Sequence, residues 1–210
     1  KSETMIGTLK IVVFALAIIG RGKLCHASGQ ESQASESGSN AANEAQENVF
    51  KTFWQVTEHV WIHNTTDIYF PECDGYHKVN SISGNNITLR GSMYKETIKK
   101  VSYKAAKVWT FGENNTLWTE SPTLIKVVYY ARYLNESEKC GVLEMHQMWK
   151  HDGNQYHKGT THYHLIASEE VKANVPQACT TIYQDIISAE KKDENIQRYT
   201  KNCILPNESS

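Results

Sequence analysis

The chain has 210 residues, of which 40% are hydrophobic and 21% are charged, and its formal net charge is -1. These fractions are ordinary for a globular protein, and the length suits one domain with a sizeable core. Because the net charge is small and no long run of like charges occurs, the composition does not support nucleic-acid binding or a polybasic membrane-surface role.

The N-terminal region has the pattern of a secretory signal. Met5 is the expected start of translation, and an apolar run follows at residues 11–19. This run is too short to span a bilayer, so a membrane anchor is the weaker interpretation, but it suits the apolar region of a signal peptide. Cys25 and Ala27 place small side chains at the two positions that a signal peptidase reads. We therefore predict that 1–27 comprises the signal peptide with a few upstream residues, and that the mature protein is secreted.

Composition divides the rest of the chain into three parts. Residues 28–48 are rich in Ser, Glu, Gln, Asn and Ala and have no apolar periodicity, which predicts a disordered leader. Aromatic and aliphatic residues become frequent from Val49 onward, so the folded domain is expected at 49–205. Residues 206–210 then form a C-terminal tail.

Four cysteines remain once the signal peptide is removed, and an even number in a secreted chain predicts two disulfides. They are Cys73, Cys140, Cys179 and Cys203. Four cysteines allow three pairings, and their spacing leaves all three open. A zinc site is the alternative, but no two of these cysteines stand two to four residues apart, as paired zinc ligands do.

Asn-X-Ser/Thr sequons predict N-glycosylation at several positions. The acceptor residues are Asn64, Asn86, Asn114, Asn135 and Asn207. Because a glycan cannot be buried, each occupied acceptor has to lie at the surface of the folded protein.

The middle of the chain has the pattern of short strands separated by turns. Apolar and polar residues alternate at 87–93, 101–105 and 124–134, which is typical of a sheet with one solvent-exposed face. Residues that favour turns occur between such segments, at 83–85, 112–114, 121–122, 135–137 and 152–154. Short strands joined by hairpins predict a meander, which protects its edges best by closing into a barrel.

One helix is predicted after Pro176, because proline suits the first turn of a helix. Apolar residues then recur at helical spacing along a single stripe. They are Cys179, Ile182, Tyr183, Ile186 and Ile187. A helix with one apolar stripe is expected to lie against the outside of the barrel. Residues 50–62 could form a short helix that leads into a strand.

Several further features follow one another in a definite order between residues 49 and 203. They are an opening segment from Trp54 to Trp61, Cys73 ahead of the second strand, Cys140-Gly141-Val142, Tyr163-His164-Leu165, Val175-Pro176-Gln177-Ala178-Cys179 and a closing Cys203. In this order and spacing the chain resembles the tick salivary lipocalins, the group that includes the histamine-binding proteins. The resemblance implies a mainly β fold, an eight-stranded antiparallel up-and-down barrel with a C-terminal α-helix packed outside. It also implies Cys73–Cys203 and Cys140–Cys179 disulfides, and a barrel wide enough for one small ligand.

The departures from this family bear on the ligand. Amine-binding members carry an Asp where this chain has Gly141, and Glu-Leu-Trp or Glu-Leu-Tyr where it has residues 164–166. A protonated amine inside a barrel needs carboxylates, because an unpaired buried charge costs several kcal/mol. The sequence therefore favours a lipid mediator, such as an eicosanoid, a fatty acid or a sterol, over histamine or serotonin. Glu144, Asp67 or Glu58 could still supply a carboxylate for an amine.

Alternation along the predicted strands assigns one set of residues to the inside of the barrel as a ligand-binding lining. These are Tyr103, Lys107, Trp109, Phe111, Val127, Tyr129, Tyr133, Leu143, Met145 and His164. Plain core packing is the alternative for each of them. Lys107 shares the parity of Trp109, and a buried lysine needs an anion. We therefore expect it to meet a ligand carboxylate, unless a bulge or its long stem carries it to water.

No catalytic motif is present, and we expect neither an enzyme nor a bound cofactor. His162 and His164 share one face of a strand, and His146 lies on the preceding strand, which raises a metal site as an alternative. The alignment with the family turns His146 away from the inner face, so no metal is expected.

The leading hypothesis is a monomeric binder that holds a small hydrophobic or amine molecule of a host and lowers its free concentration. The second hypothesis is an immunomodulator whose outer surface binds a host immune protein. Nucleic acids and membranes are not expected as partners.

Overall fold

The computed structural model describes residues 47–122, 125–150 and 155–206, so the predicted signal peptide, most of the predicted leader and Asn207 lie outside the described residues. Within these ranges the chain forms two helices and nine strands. They are α1 (Val49–Val56), β1 (His59–Thr65), β2 (Gly75–Lys78), β3 (Asn86–Lys95), β4 (Lys100–Gly112), β5 (Thr116–Glu120), β6 (Ile125–Asn135), β7 (Cys140–Lys150), β8 (Tyr156–Ser168), α2 (Gln177–Ala189) and β9 (Ile196–Gln197). Neither described helix is long and apolar enough to cross a membrane.

Eight strands close into an antiparallel up-and-down barrel, as predicted. Strands β2 to β8 pair with one another in chain order. β1 then pairs with both β8 and β2, since Trp61 lies opposite Ala167 on one side and opposite Gly75 on the other. The short strand β9 adds to the end of β1. This closure pairs the strands that would otherwise form the two edges of the sheet.

Helix α1 closes one end of the barrel. The side-chain oxygen of Asn48 caps the helix by accepting a hydrogen bond from the N–H of Phe50 at 2.9 Å. The Asn48 amide also donates to the carbonyls of Gly112 (2.7 Å) and Thr116 (2.9 Å), which ties α1 to the turn between β4 and β5. The apolar face of α1, including Phe53, is buried in the barrel core. We call this the closed end, and the opposite end, where β3 turns into β4 and β2 begins, the open end.

Four register shifts interrupt the pairing of the barrel strands, between β1 and β8, β3 and β4, β6 and β7, and β7 and β8, and two of them bear on the candidate lining residues. Between β3 and β4 the register shifts, so that residues 104 and 105 both lie opposite Gly91. Between β6 and β7 the register shifts at Arg132, which is an extra residue in β6. A bulge of one residue exchanges the two faces of the sheet for all residues beyond it.

Helix α2 begins directly after Pro176 and packs against the outer surface of β7 and β8, as predicted. Its buried stripe contains Cys179, Tyr183 and Ile187. The disulfide from Cys179 to Cys140 attaches this helix to the first residue of β7.

The second disulfide joins Cys73 to Cys203 and lies outside the barrel, where Trp61 and Val101 pack around it. It fastens the C-terminal segment to the short stretch of chain that leads into β2. Both disulfide pairings that the family resemblance implied are therefore confirmed.

Replacing both Cys140 and Cys179 with serine should lower the free energy of unfolding by about 4 kcal/mol. The reason is that this disulfide closes a loop with a sequence separation of 39, which restricts the unfolded chain. Urea unfolding followed by tryptophan fluorescence measures the change. The matched control is Gln184→Ser on the exposed side of α2, which should change the stability by no more than about 0.5 kcal/mol. Equal unfolding midpoints for the double variant and the parent protein would contradict this expectation.

Candidate functional site

The barrel interior is divided into a deep chamber near the closed end and a cavity at the open end. The deep chamber has a volume of only about 20 Å³, which is room for roughly one water molecule. Apolar side chains such as Phe50, Ile62 and Leu117 surround it. The deep half of the barrel is therefore packed core, without space for a metabolite.

The second cavity, which we call the open-end cavity, has a volume of about 200 Å³. Its aromatic lining residues are Phe70, Tyr76, Trp109 and Tyr129, and its charged lining residues are Asp74, Lys104 and Lys107. An engineered apolar cavity of about 150 Å³ in another protein takes up benzene. The open-end cavity is thus of a size for one aromatic ring system with a short substituent.

Tyr76, Trp109 and Tyr129 form an aromatic wall between the two spaces, since each of them lines both. The rings of Trp109 and Tyr129 are stacked with centroids 5.7 Å apart, and Tyr76 meets Trp109 edge-on at 5.4 Å. The hydroxyls of Tyr76 and Tyr129 are hydrogen-bonded at 2.9 Å. Burial raises the pKa of both phenols well above the ordinary value, and the nearby Asp74 carboxylate raises it further, so both hydroxyls stay protonated.

Asp74 is a buried carboxylate at the edge of this wall. Its side chain is only 5% exposed, and its Oδ2 lies 2.7 Å from the Nζ of Lys104, whose side chain is 40% exposed. The other oxygen, Oδ1, accepts a hydrogen bond from the N–H of Gly75 at 2.8 Å. Burial raises the pKa of Asp74, and the Lys104 ammonium opposes that shift. The site therefore holds a desolvated carboxyl group whose cationic partner reaches towards solvent.

The backbone around Asp74 is held from several sides. Its carbonyl accepts a hydrogen bond from the N–H of Ile62 at 2.9 Å, and the preceding Cys73 is fixed by a disulfide. Gly75 follows, where a Cβ atom would lie 2.4 Å from the carbonyl oxygen of Val60. Only a residue without a side chain allows β2 to approach β1 this closely, and this approach places Asp74 at the mouth of the barrel.

The bulge in β4 turns Lys104 inward and Tyr103 outward. Lys104 crosses Gly91, where a Cβ atom would lie 3.0 Å from the lysine Cδ. The ring of Tyr103 instead lies against His77 (5.6 Å) and under the guanidinium of Arg90 (5.3 Å). The prediction that Tyr103 lines the ligand site is therefore wrong. The extra residue in β4 reverses the parity that the prediction assumed.

Tyr133 was also expected inside the barrel, and this prediction is wrong for the same reason. Its ring packs against the outer cluster around Cys140, and its hydroxyl accepts a hydrogen bond from the Asn135 amide at 3.0 Å. The bulge at Arg132 moves the inward position to the next residue, Leu134, which packs against the barrel core.

Most of the other predicted lining residues do face the open-end cavity. These are Lys107, Trp109, Val127, Tyr129 and Met145. Leu143 borders the deep chamber, and Phe111 belongs to the packed core. For these two residues the alternative of plain core packing is the better description.

His164 is fully buried behind the open-end cavity. Its ring lies 4.8 Å from that of Phe70 and 5.9 Å from that of Tyr129, measured between centroids. Neither of its ring nitrogens has a hydrogen-bond partner among the described residues, and burial lowers its pKa to about 3. The histidine is therefore neutral at physiological pH.

His146 does not join the histidines of β8. It lies on the outer face, where its Nε2 is 2.5 Å from a carboxylate oxygen of Glu144. Within the described ranges, the potential metal ligands that do come together are Glu138, Cys140 and Cys179, but the two cysteines are already bonded to each other.

At Gly141 the space around the Cα atom is closed in this barrel. A Cβ atom on Gly141 would lie 2.4 Å from Cδ2 of Leu134 and 2.6 Å from the carbonyl oxygen of Tyr133. No larger side chain fits there unless β6 moves away.

The sequence suggested three other carboxylates that could pair with an amine, and the structure places them in different surroundings. Glu144 points outward and pairs with Arg132 at 3.2 Å, and the side chain of Glu58 is 71% exposed. Asp67 is buried in the loop after β1, where it accepts a hydrogen bond from the N–H of Tyr69. Sequence reasoning missed Asp74. The sequence feature that could have identified Asp74 is its position directly after Cys73, which the predicted Cys73–Cys203 disulfide fixes in place.

Three of the predicted glycosylation acceptors lie near the closed end, away from the open-end cavity. Asn86 and Asn114 are exposed, and Asn135 is half-buried. Asn64 is half-buried beside β9, and Asn207 lies outside the described residues. Glycosylation of these residues stays a prediction.

The stability of the fold should fall as the pH drops below about 6.5, in part because of His164. Its folded-state pKa is about 3, below the value of 6.5 for a free histidine, so the unfolded chain binds a proton that the folded protein excludes. The resulting loss is about 1.4 kcal/mol per pH unit, or about 2 kcal/mol between pH 6.5 and pH 5. His164→Leu should reduce the difference between urea unfolding free energies at pH 7 and pH 5 by this amount.

His157→Leu, which removes an exposed histidine from the same strand, is the control and should leave the pH dependence unchanged. The same pH dependence in His164→Leu and the parent protein would contradict a buried, neutral His164.

No family model and no curated protein matches the chain. Among solved structures, the crystal structure of the AM182 serotonin complex matches with a TM-score of 0.53 and 12% sequence identity. The match covers 74% of this chain and 94% of the AM182 chain. At this identity the similarity shows that the two proteins share a fold.

Proposed function

We propose that this protein binds a small cationic aromatic amine in the open-end cavity, with Asp74 as the partner of the ammonium group. The observation that carries the proposal is a carboxylate that is only 5% exposed beside an aromatic wall in one cavity. Buried carboxylates are costly, and a ligand ammonium is the chemical group that would satisfy one directly.

The aromatic wall suits the rest of such a ligand. Trp109 and Tyr129 offer ring faces for stacking, and a cation near these faces gains further attraction. The paired hydroxyls of Tyr76 and Tyr129 place a polar group beside the ligand ring. An apolar lining with a few polar groups is the usual composition of a small-molecule site.

The size of the cavity favours an amine over the lipid that the sequence favoured. Pockets for drug-sized ligands measure roughly 300–1,000 Å³, and the open-end cavity measures about 200 Å³. The aromatic wall separates it from a deep chamber of about 20 Å³. An acyl chain or a sterol would require this wall to move, whereas a single ring system would not.

Two further observations support this proposal. The AM182 structure, which shares the fold, is a serotonin complex. The two disulfides suit an oxidising compartment, so we propose that the protein is secreted as the sequence predicts. It would act as a lipocalin that sequesters a host amine stoichiometrically, without catalysis.

Asp74→Asn should weaken the binding of amines such as serotonin, histamine or tryptamine at least tenfold, which corresponds to about 1.4 kcal/mol. The amide keeps the shape of the carboxylate but removes the charge that pairs with the ammonium. Isothermal titration calorimetry measures the dissociation constant, and indole serves as a neutral ligand of similar shape that should bind both proteins alike.

Glu58→Gln is the matched control, because it removes an exposed carboxylate outside the cavity. It should leave the amine dissociation constant unchanged within about twofold. Equal amine affinity in Asp74→Asn and the parent protein would argue against Asp74 as the ammonium partner. Binding of a host protein, with no response to any amine or lipid, would favour the surface-acting alternative.

A small carboxylated ligand is the second candidate, and Lys107 is the observation that favours it. Lys107 lines the open-end cavity, as predicted, but it is exposed and not buried, so its ammonium reaches water. It has no ion-pair partner among the described residues. An anionic ligand could therefore meet a free ammonium group at the mouth of the barrel.

If a small carboxylate such as indole-3-acetate binds, Lys107→Ala should weaken it at least tenfold, a loss of about 1.4 kcal/mol. Isothermal titration calorimetry measures the dissociation constant. Lys100→Ala removes an exposed charge from the same strand and should have little effect. An unchanged affinity in Lys107→Ala would remove the carboxylate hypothesis.

A further inference from the structure

The ion pair between Asp74 and Lys104 is asymmetric. The carboxylate is 5% exposed, whereas the lysine side chain is 40% exposed. The lysine stem crosses Gly91 and brings Nζ to within 2.7 Å of Oδ2 of Asp74. The anion is therefore fixed inside the barrel, and its cation is attached to a flexible stem that can extend into water.

Lys104 occupies the contact that a ligand ammonium would need. Oδ1 of Asp74 accepts a hydrogen bond from the N–H of Gly75, and Oδ2 is the oxygen that faces the Lys104 ammonium. Asp74 and Lys104 both line the open-end cavity. An amine whose ammonium binds at Oδ2 therefore shares this oxygen with the lysine or displaces the lysine.

We propose that Lys104 is an internal competitor that holds the place of the ligand ammonium in the empty barrel. The ligand exchanges one ammonium for another at Asp74, and Lys104 moves out to solvent. This inference rests on the proposed amine-binding function and adds a residue that sets affinity and specificity.

The exchange of Lys104 for a ligand ammonium has one consequence for the empty protein and one for ligand binding. Asp74 keeps a cationic partner in both states, so the empty protein avoids an unpaired buried carboxylate. A neutral molecule of the same shape cannot replace Lys104 at Oδ2, so it gains no contact with the carboxylate. The lysine therefore lowers the affinity for amines, whereas a neutral competitor, which leaves the pair of Asp74 and Lys104 intact, is not affected by it.

The bulge in β4 is what makes this arrangement possible. It places residues 104 and 105 opposite Gly91, so that Lys104 faces inward while Tyr103 faces outward. The absence of a side chain at Gly91 leaves the space across which the lysine stem runs. In a regular strand the lysine would point to the outside of the barrel.

Lys104→Gln tests the proposal, since its amide can still donate a hydrogen bond to Asp74 but no longer competes as a cation. Calorimetry with serotonin and tryptamine should give at least fivefold tighter binding than in the parent protein. Lys104→Arg retains a cation and should remain within about twofold of the parent. Lys100→Gln, which removes an exposed charge from the same strand, should also remain within about twofold.

A double-variant cycle completes the experiment. In an Asp74→Asn background, Lys104→Gln should no longer tighten amine binding, because the group for which the two cations compete is gone. Circular dichroism confirms that each variant folds, and Lys104→Met provides a second charge-free variant if Lys104→Gln does not.

The outcomes separate this inference from the proposed function. If Asp74→Asn weakens amine binding but neither charge-free variant tightens it, Lys104 is not a competitor, and the amine site stands. A gain in affinity that persists without Asp74 would likewise rule out Lys104 as a competitor. If no amine binds to the parent protein or to the Lys104 variants, both the proposed function and the competitor role are overturned.

Discussion

A carboxylate inside a barrel destabilises the fold unless a cation or hydrogen-bond donors remain with it. The open end of this barrel is organised around that requirement. Asp74 is held by the disulfide at Cys73, by a backbone contact with β1 and by the N–H of Gly75. Its charge is then balanced by Lys104, which a bulge in the neighbouring strand turns inward. Asp74 and Lys104 thus form an ion pair in the lining of the cavity, and Lys107 adds a further positive charge to that lining.

The aromatic wall limits the size of the molecule that can bind beside that ion pair. Tyr76, Trp109 and Tyr129 lie across the barrel and bury their rings against the core. Below them, α1 inserts Phe50 and Phe53 and leaves almost no free volume. The architecture is a general one that can enclose a ligand. In this protein most of the barrel interior is packed core that stabilises the fold, and the remaining space lies beside the ion pair of Asp74 and Lys104.

The outer surface of the barrel contributes stability. Helix α2 covers β7 and β8, and its disulfide to Cys140 anchors it. The second disulfide covers Trp61 and ties the C-terminal segment to the residue before Asp74. Both clusters lie on the outside of the barrel, so the scaffold and the candidate site use different sets of side chains. This separation also explains why Tyr133, which packs against the α2 cluster, takes no part in the site.

Much of the fold could be predicted from local patterns. Period-two alternation located β3, β4 and β6, helical spacing after Pro176 located α2, and the order of the cysteines carried the resemblance that implied both disulfides. Lys107 and Trp109 were placed correctly because they lie with Phe111 on the same side of the bulge in β4, and Tyr129 lies with Val127 before the bulge in β6.

What the tertiary structure alone decided is the composition of the site. A bulge depends on how a strand pairs with its neighbour, and alternation within one strand carries no trace of it. The bulges in β4 and β6 therefore moved Tyr103 and Tyr133 outward and brought Lys104 inward. Asp74 belongs to no periodic segment, and its burial arises only when β1, β3 and the disulfide converge around it. The amino-acid sequence by itself determined a meander of strands that closes into a barrel, because this follows from local hydrophobic periodicity, and the family resemblance implied how its cysteines pair. Strand register and burial, which depend on non-local contacts, determined which charged side chains lie inside the barrel.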